Sequence, residues 1–342
     1  MTTATDTEKP AAPARPTFDR RRVIDFVGEN GFIIIFVLWC VYLSVATPTF
    51  LTVNNLTLVL RQSAIIGIVA IGETMVILLG GIDISLASVL GISAVGLVWT
   101  MVNGIRLPGS ETILFLSAFP AAIVGILIGG LIGLANGLLV TRVKINAVIA
   151  TLGMMSIIDG IGLTLTGGKT LYGDALQQID FLASGFIGPV PVLVVLMFVF
   201  YAVFWFILNR TTFGAHIYAA GSNERAAYLS GVNVDRVKLW TFVIAGLLAG
   251  FGGLLAASRQ GSARAGMGTD LLFPILTAVV LGGVSLSGGR GRILNTLIAA
   301  IFLATITNGL IQLGASTDAQ RIVSGAILIV ALSLDRLRAA AR

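Results

Sequence analysis

Charge is scarce in this sequence. Asp, Glu, Lys and Arg supply 11% of 342 residues, against 56% apolar, and the mean hydropathy is +0.97. So few charges could not cover the surface of a soluble protein this large, which excludes that class and points to a polytopic membrane protein. Cysteine and histidine are nearly missing as well. One Cys (Cys40) and one His (His216) cannot build a disulfide framework or a site with several His/Cys ligands, so no metal or cofactor is expected. Cys40 sits inside the first apolar run and reads as a small hydrophobe.

Catalytic signatures are missing too. No HExxH, GxSxG or CxxC occurs. Gly167-Gly168-Lys169-Thr170 ends like a phosphate-binding loop, but Leu163 stands where such a loop needs its first Gly. The chain is therefore expected to be no enzyme. Energy for any transport must come from a partner or from an ion gradient.

What is abundant is apolar sequence of membrane-crossing length. Runs fall at roughly 31–47, 63–79, 86–102, 113–138, 146–166, 189–208, 240–257, 271–286, 293–312 and 321–334. Each approaches the ~20 residues that a helix needs to cross a ~30 Å hydrocarbon core. About ten spans of an all-α protein place both termini on one side. If the first 30 residues are cytoplasmic, the other side receives only Arg61, Arg106, Lys169, Arg259, Arg264 and Arg321 of the 22 Lys and Arg. That asymmetry predicts both termini inside and explains the net charge of +6 without a nucleic-acid partner. Residues 1–30, rich in Pro, Ala and charge, read as a cytoplasmic tail, and 31–336 as one transmembrane domain. A cleavable leader ending near Ser44-Val45-Ala46 is the competing reading. Its charged region would be too long and too acidic.

Within the apolar mass, glycine and acid are placed selectively. Leu78-Leu79-Gly80-Gly81-Ile82-Asp83-Ile84-Ser85 and Val280-Leu281-Gly282-Gly283-Val284-Ser285-Leu286-Ser287 match in character except at the Asp/Ser position. A Gly pair after an apolar run predicts a helix break, tolerable only against protein or a watery cavity. Transporters use such breaks along their pathways, so Gly80, Gly81, Gly282 and Gly283 are candidate gating positions. Gly129, Gly130, Gly133 and Gly137 on one run, and Gly246, Gly250 and Gly253 on another, suit close helix packing. Glu73, Asp83 and Asp159 lie in or beside spans, where an ionised carboxylate costs about 2.5–3.5 kcal/mol and must face an interior, a partner or water. They are candidates for a polar route, for a proton relay, or for helix–helix hydrogen bonds. Asp83 could equally be a structural cap.

The remaining signal is a polar stretch, residues 209–238, on the cytoplasmic side. A short helix is expected from Asn223, with Asn223 as N-cap, Glu224 in the first turn and Gly231 closing it after Ser230. Ala226, Ala227, Tyr228 and Leu229 would offer a small-residue surface for a groove on a soluble partner, inferred to be an ATPase. A helix lying on lipid would want a Lys/Arg-rich face and a larger apolar moment.

Taken in order, these pieces resemble the ribose-type permease subunit of bacterial ABC importers over nearly everything after about residue 28. The resemblance rests on Gly80-Gly81-Ile82-Asp83-Ile84-Ser85, Asn136-Gly137-Leu138-Leu139-Val140, Ile149-Ala150-Thr151-Leu152-Gly153 and Leu165-Thr166-Gly167-Gly168. It rests also on Ala220 through Val232 and on Val280 through Gly291. Leu86-Ala87 and Asn146-Ala147 depart from the usual Val-Gly and Pro of that family. The resemblance implies a paired, homodimeric permease in the inner membrane with a vitamin B12-importer-like (type II) fold. It implies cytoplasmic ATPases docking around Gly221, Asn223, Glu224, Arg225, Ala226, Ala227, Leu229 and Gly231, and an extracytoplasmic binding protein that delivers a monosaccharide. Two other readings stay open: an ABC permease for branched-chain amino acids or another small solute, and an ion-coupled carrier using Glu73 and Asp159.

Overall fold

The computed structural model describes residues 34–106 and 109–340. The expected tail, 1–30, lies outside the described residues. The chain divides after Tyr42. The described part of the first unit opens helix α1 (Ile34–Ala46), where the Trp39 and Tyr42 rings stack at 5.5 Å.

The second unit is a helical assembly. It contains α2 (Val53–Leu78), α3 (Leu86–Val102), α4 (Ala118–Thr141), α5 (Ala147–Thr166), α6 (Phe181–Ser184) and α7 (Val192–Arg210). There follow α8 (Thr212–Ser222), α9 (Glu224–Leu229), α10 (Val234–Gln260), α11 (Leu272–Leu281), α12 (Ile293–Gln312) and α13 (Thr317–Ala340). Among the described residues, strands are confined to three two-stranded antiparallel pairs. β1 (Ile105–Arg106) pairs β2 (Ile113–Leu114), β3 (Leu171–Tyr172) pairs β6 (Ser262–Ala263), and β4 (Phe186–Ile187) pairs β5 (Val190–Pro191).

Each apolar run of the sequence lies mainly in a helix. Among the described residues, six helices are long and apolar enough to cross a membrane: α2, α4, α5, α7, α10 and α12. α1, α3 and the segment Thr269–Leu281 are apolar but shorter. The boundaries differ from the apolar runs for local reasons. α2 begins at Val53, ahead of its run, because the Thr52 side chain accepts from Asn55 N and caps a polar first turn. α4 starts later than its run because Ile113 and Leu114 are taken by the β1–β2 pair.

α10 is central, packing on α4, α3 and α2. Gly129 and Gly133 of α4 meet Gly246 and Gly250 of α10 backbone to backbone, since a Cβ on Gly129 would lie 2.9 Å from Gly250 Cα. α3 is buried nearly all round, whereas α5 exposes Ile149, Ile157 and Leu163. Apolar residues facing outward along α5 suit contact with lipid or another apolar surface.

Candidate functional site

The two Gly pairs end helices by the same hydrogen-bond pattern. After α2, Gly80 takes φ +78°, its N–H donates to Ile77 O (2.8 Å), and Gly81 N donates to Val76 O (3.1 Å). After α11, Gly283 takes φ +79°, its N–H donates to Val280 O (2.9 Å), and Val284 N donates to Val279 O (3.3 Å). Both are Schellman terminations, which need a left-handed residue and hence favour Gly. The match is shifted by one place: Gly80 corresponds to Gly283, not to Gly282. Gly282 serves close packing instead, because a Cβ there would sit 2.8 Å from Thr296 N of α12.

The chain between α2 and α3 is unwound, and its polar groups are held by side chains from two other helices. Thr151 of α5 accepts from Ile84 N (3.2 Å) and is within reach of Ile82 O (3.3 Å). Asp83 Oδ1 accepts from Ser85 N (2.9 Å) and Ser85 Oγ (2.6 Å), a turn that leads into α3. Asn136 of α4 donates to Ser85 Oγ (2.8 Å). Glu73 of α2 reaches the same place, accepting from Asp83 N at 3.3 Å. Glu73 and Asn136 are fully buried and Asp83 is 2% exposed. Buried non-helical backbone at membrane depth is stable when such partners exist.

Of the three acids singled out in the sequence, Glu73 and Asp83 are therefore brought together. Asp159 is half-buried on α5 and does not join them. Asn136, Ser85 and Thr151 complete the cluster; they stand in the motifs that carry the resemblance but have no site role there, since an Asn, Ser or Thr in a span gives no signal of which way it points.

At the other end of the break stands the 209–238 segment. It is less of a loop than its polarity suggests, being α8, α9 and the first turn of α10. α9 runs Glu224–Leu229, with Asn223 Oδ1 accepting from Ala226 N (2.9 Å) and Gly231 at φ +86° closing it. Glu224 pairs with Lys238 at 2.7 Å, and Lys144 pairs with Asp235 at 2.7 Å. One expectation is corrected here. Ala227 does not face outward; it is 5% exposed and packs with Ala220 and Val234 against Leu79 and Val232. Tyr228 (70%) and Leu229 (76%) carry the outward face, beside exposed Arg225 and Ala226. They border a groove of about 920 Å³ lined also by Lys144, Glu224, Arg225 and Asp235. Replacing Asn223 with Ala should remove a cap of about 1 kcal/mol, and amide protection across 224–229 should fall roughly fivefold in hydrogen exchange. Unchanged protection would show that packing alone holds α9.

α8 and α9 connect directly to the break. Leu79, under Ala227, is the residue that ends α2. The carbonyl oxygen of Leu78 accepts from Gly289 N (2.8 Å), and Tyr218 of α8 donates its hydroxyl to Gly291 O (3.0 Å). Partial burial raises the Tyr218 phenol above its ordinary value, and the nearby Arg292 offsets part of that, so it stays a donor. Gly221 lies so close to Leu78 O that a Cβ there would overlap it, and the same Cβ would be 2.7 Å from Gly289 N. Backbone thus meets backbone among α2, α8 and the 285–291 turn.

The comparisons with known proteins follow this geometry. Residues 55–332 match the family described as "Branched-chain amino acid transport system / permease component". The chain belongs to this family of ABC transporter permeases. The permease is 38% identical over 301 residues to the ribose import permease protein RbsC of Bacillus subtilis, covering 88% of this chain and 90% of that one. It is 35% identical over 312 residues to RbsC of Haemophilus influenzae, covering 90% and 93%. With the D-allose transport system permease protein AlsC of Escherichia coli it shares 34% over 309 residues, 90% of each chain. No solved structure matches the permease. It is a multi-pass membrane protein of the ribose-type ABC permeases, and the α2–α3 break and the α8–α9 corner both fall within the matched residues.

Proposed function

We propose that this permease carries a monosaccharide across the inner membrane, driven by separate cytoplasmic ATPases that dock on α9. The observation that carries the reading is the two-sided character of α9. Its outer side presents Tyr228 and Leu229, and its inner side, Ala227, rests on Leu79 at the end of α2. A push on the outer side therefore meets the break that holds Gly80, Gly81, Asp83 and Glu73. Two arrangements of that break, each favoured by a different nucleotide state of the ATPase, would open the pathway alternately to each side. In this reading Gly282 and Gly283 form the matching break after α11. Gly221, Asn223, Glu224, Arg225, Ala226 and Gly231 shape the docking corner.

The wider arrangement is part of the proposal. Ten spans and both termini in the cytoplasm follow from the apolar runs and the Lys/Arg asymmetry, and the resemblance to ribose-type permeases implies a vitamin B12-importer-like (type II) fold. Residues 31–336 then form one permease domain, with 209–238 on the ATPase side. A second copy of the chain completes the pathway, and the exposed apolar side chains of α5 face lipid or that copy. An extracytoplasmic binding protein delivers the sugar.

A monosaccharide is favoured because the similar proteins are named for ribose, D-allose and, at 31% identity over 331 residues, L-arabinose. The description of the matching family favours a second reading, a branched-chain amino acid. Proteoliposomes holding the permease, its ATPase and its binding protein decide between them. Stimulation of ATP hydrolysis by a pentose or hexose supports the first reading. Stimulation by leucine or valine and by no sugar overturns it.

A further inference from the structure

The hydrogen bonds around the α2–α3 break leave three buried acceptors without a donor. They are Glu73 Oε2, Asp83 Oδ2 and Asn136 Oδ1, none of which has a partner in the protein. Their neighbours are already committed. Ser85 N and Ser85 Oγ both donate to Asp83 Oδ1, Asn136 Nδ2 donates to Ser85 Oγ, and Asp83 N donates to Glu73 Oε1. Each of these donors is engaged at least once, and the three unmatched atoms of the cluster are all oxygens.

Among the described residues, no positive charge compensates the two carboxyls. α2 packs on α7, α8, α10, α11 and α12. α11 and α12 contain no ionisable side chain. Those of α10 are Asp235, Arg236, Lys238 and Arg259, all near its ends, and Tyr201 of α7 is occupied by Gly67 O at 3.0 Å. α7 also carries Arg210 at its last position, and α8 carries His216 and Tyr218, the latter bonded to Gly291 O. α3 and α4, which supply Ser85's helix and Asn136, have none, and α5 adds only Asp159. Among the described residues, the charged group whose field acts on Glu73 is Asp83. Two like charges buried side by side, with no counter-ion among the described residues, are strongly unfavourable together.

We propose that Glu73 is a carboxylic acid in the folded protein, so that the Glu73–Asp83 pair binds one proton and keeps one negative charge. The proton belongs on Glu73 because Asp83 receives two short hydrogen bonds that favour its ionised form, whereas Glu73 receives one long one. A protonated Oε2 supplies a donor where the cluster has only unmatched acceptors. A metal cation fits less well. Ca²⁺ and Mg²⁺ want about six or more oxygen ligands, and three oxygens are free here. Two amide N–H groups also point at the carboxyls, and no cluster of three or more His, Cys, Asp or Glu exists among the described residues.

Infrared spectroscopy of the full-length permease in lipid nanodiscs tests this. At neutral pH the unmodified protein should show the carbonyl stretch of a protonated carboxyl. Isotope-labelled glutamate should move that band and isotope-labelled aspartate should not, a comparison that needs no variant to fold. The band should vanish in Glu73→Gln. Absence of the band, its movement with labelled aspartate instead, or its persistence in Glu73→Gln would overturn the assignment. Thermal stability that rises with sodium over choline, and ceases to do so in Glu73→Gln, would also overturn it by making the ligand a cation.

Discussion

Gly221→Val should leave the permease inserted in the membrane but cut sugar-stimulated ATP hydrolysis about tenfold to a hundredfold, the equivalent of the ~1–3 kcal/mol typical of overpacking. The atoms that a side chain would strike are Leu78 O and Gly289 N. Both are backbone, so no rotamer change can relieve the clash, and α8 must move away from the end of α2. Under the proposed mechanism that contact passes the ATPase stroke to the break, so its separation uncouples hydrolysis from transport. Gly221→Ala should fall between wild type and valine. Gly153→Ala, at a place on α5 with nothing within 4 Å of the added carbon, should behave as wild type. Full coupling in Gly221→Val would mean that the α8–α2 contact transmits nothing.

The second large effect concerns the outer side of α9. Glu224→Lys with Leu229→Asp should abolish co-purification with the ATPase and the stimulation of its hydrolysis. Leu229 is 76% exposed in the chain alone, so placing a carboxylate there costs the fold little, within about 0.5 kcal/mol. Reversing Glu224 breaks its pair with the half-buried Lys238 and sets two cations side by side, at a cost of about 1 kcal/mol more. Under the proposed docking both positions are covered, and a central contact of that kind is worth 2 kcal/mol or more, about thirtyfold in affinity. Binding should therefore weaken at least about thirtyfold while insertion of the spans is unchanged. Unaltered ATPase affinity in the double variant would move the docking site elsewhere.

How much of this the sequence discloses depends on the kind of group involved. The caps of α9 are legible because Asn223 and Gly231 have intrinsic preferences that act locally. So are the breaks after α2 and α11, where a Gly pair interrupts an apolar run. The inward turn of Ala227 is not legible, because a helix of six residues is too short for a face to show as periodicity. Asp159 and Glu73 look alike in sequence, yet only Glu73 lies on the side of its helix that meets the break. The junction of Leu78, Gly221 and Gly289 is made by backbone atoms, whose positions leave a trace only as glycines. In the sequence Gly221 is one of the expected docking residues and Gly289 a motif glycine without a role, and the fold brings 221, 289 and 78 together.

The central claim is that the motive force enters through α9 from a bound ATPase. The direct measurement is uptake of labelled monosaccharide by proteoliposomes, with the binding protein present, comparing four conditions: ATPase with ATP, ATPase without ATP, no ATPase, and no ATPase with an imposed proton or sodium gradient. Uptake against a sugar gradient is expected in the first condition alone. Concentrative uptake driven by an ion gradient with no ATPase present would contradict the account.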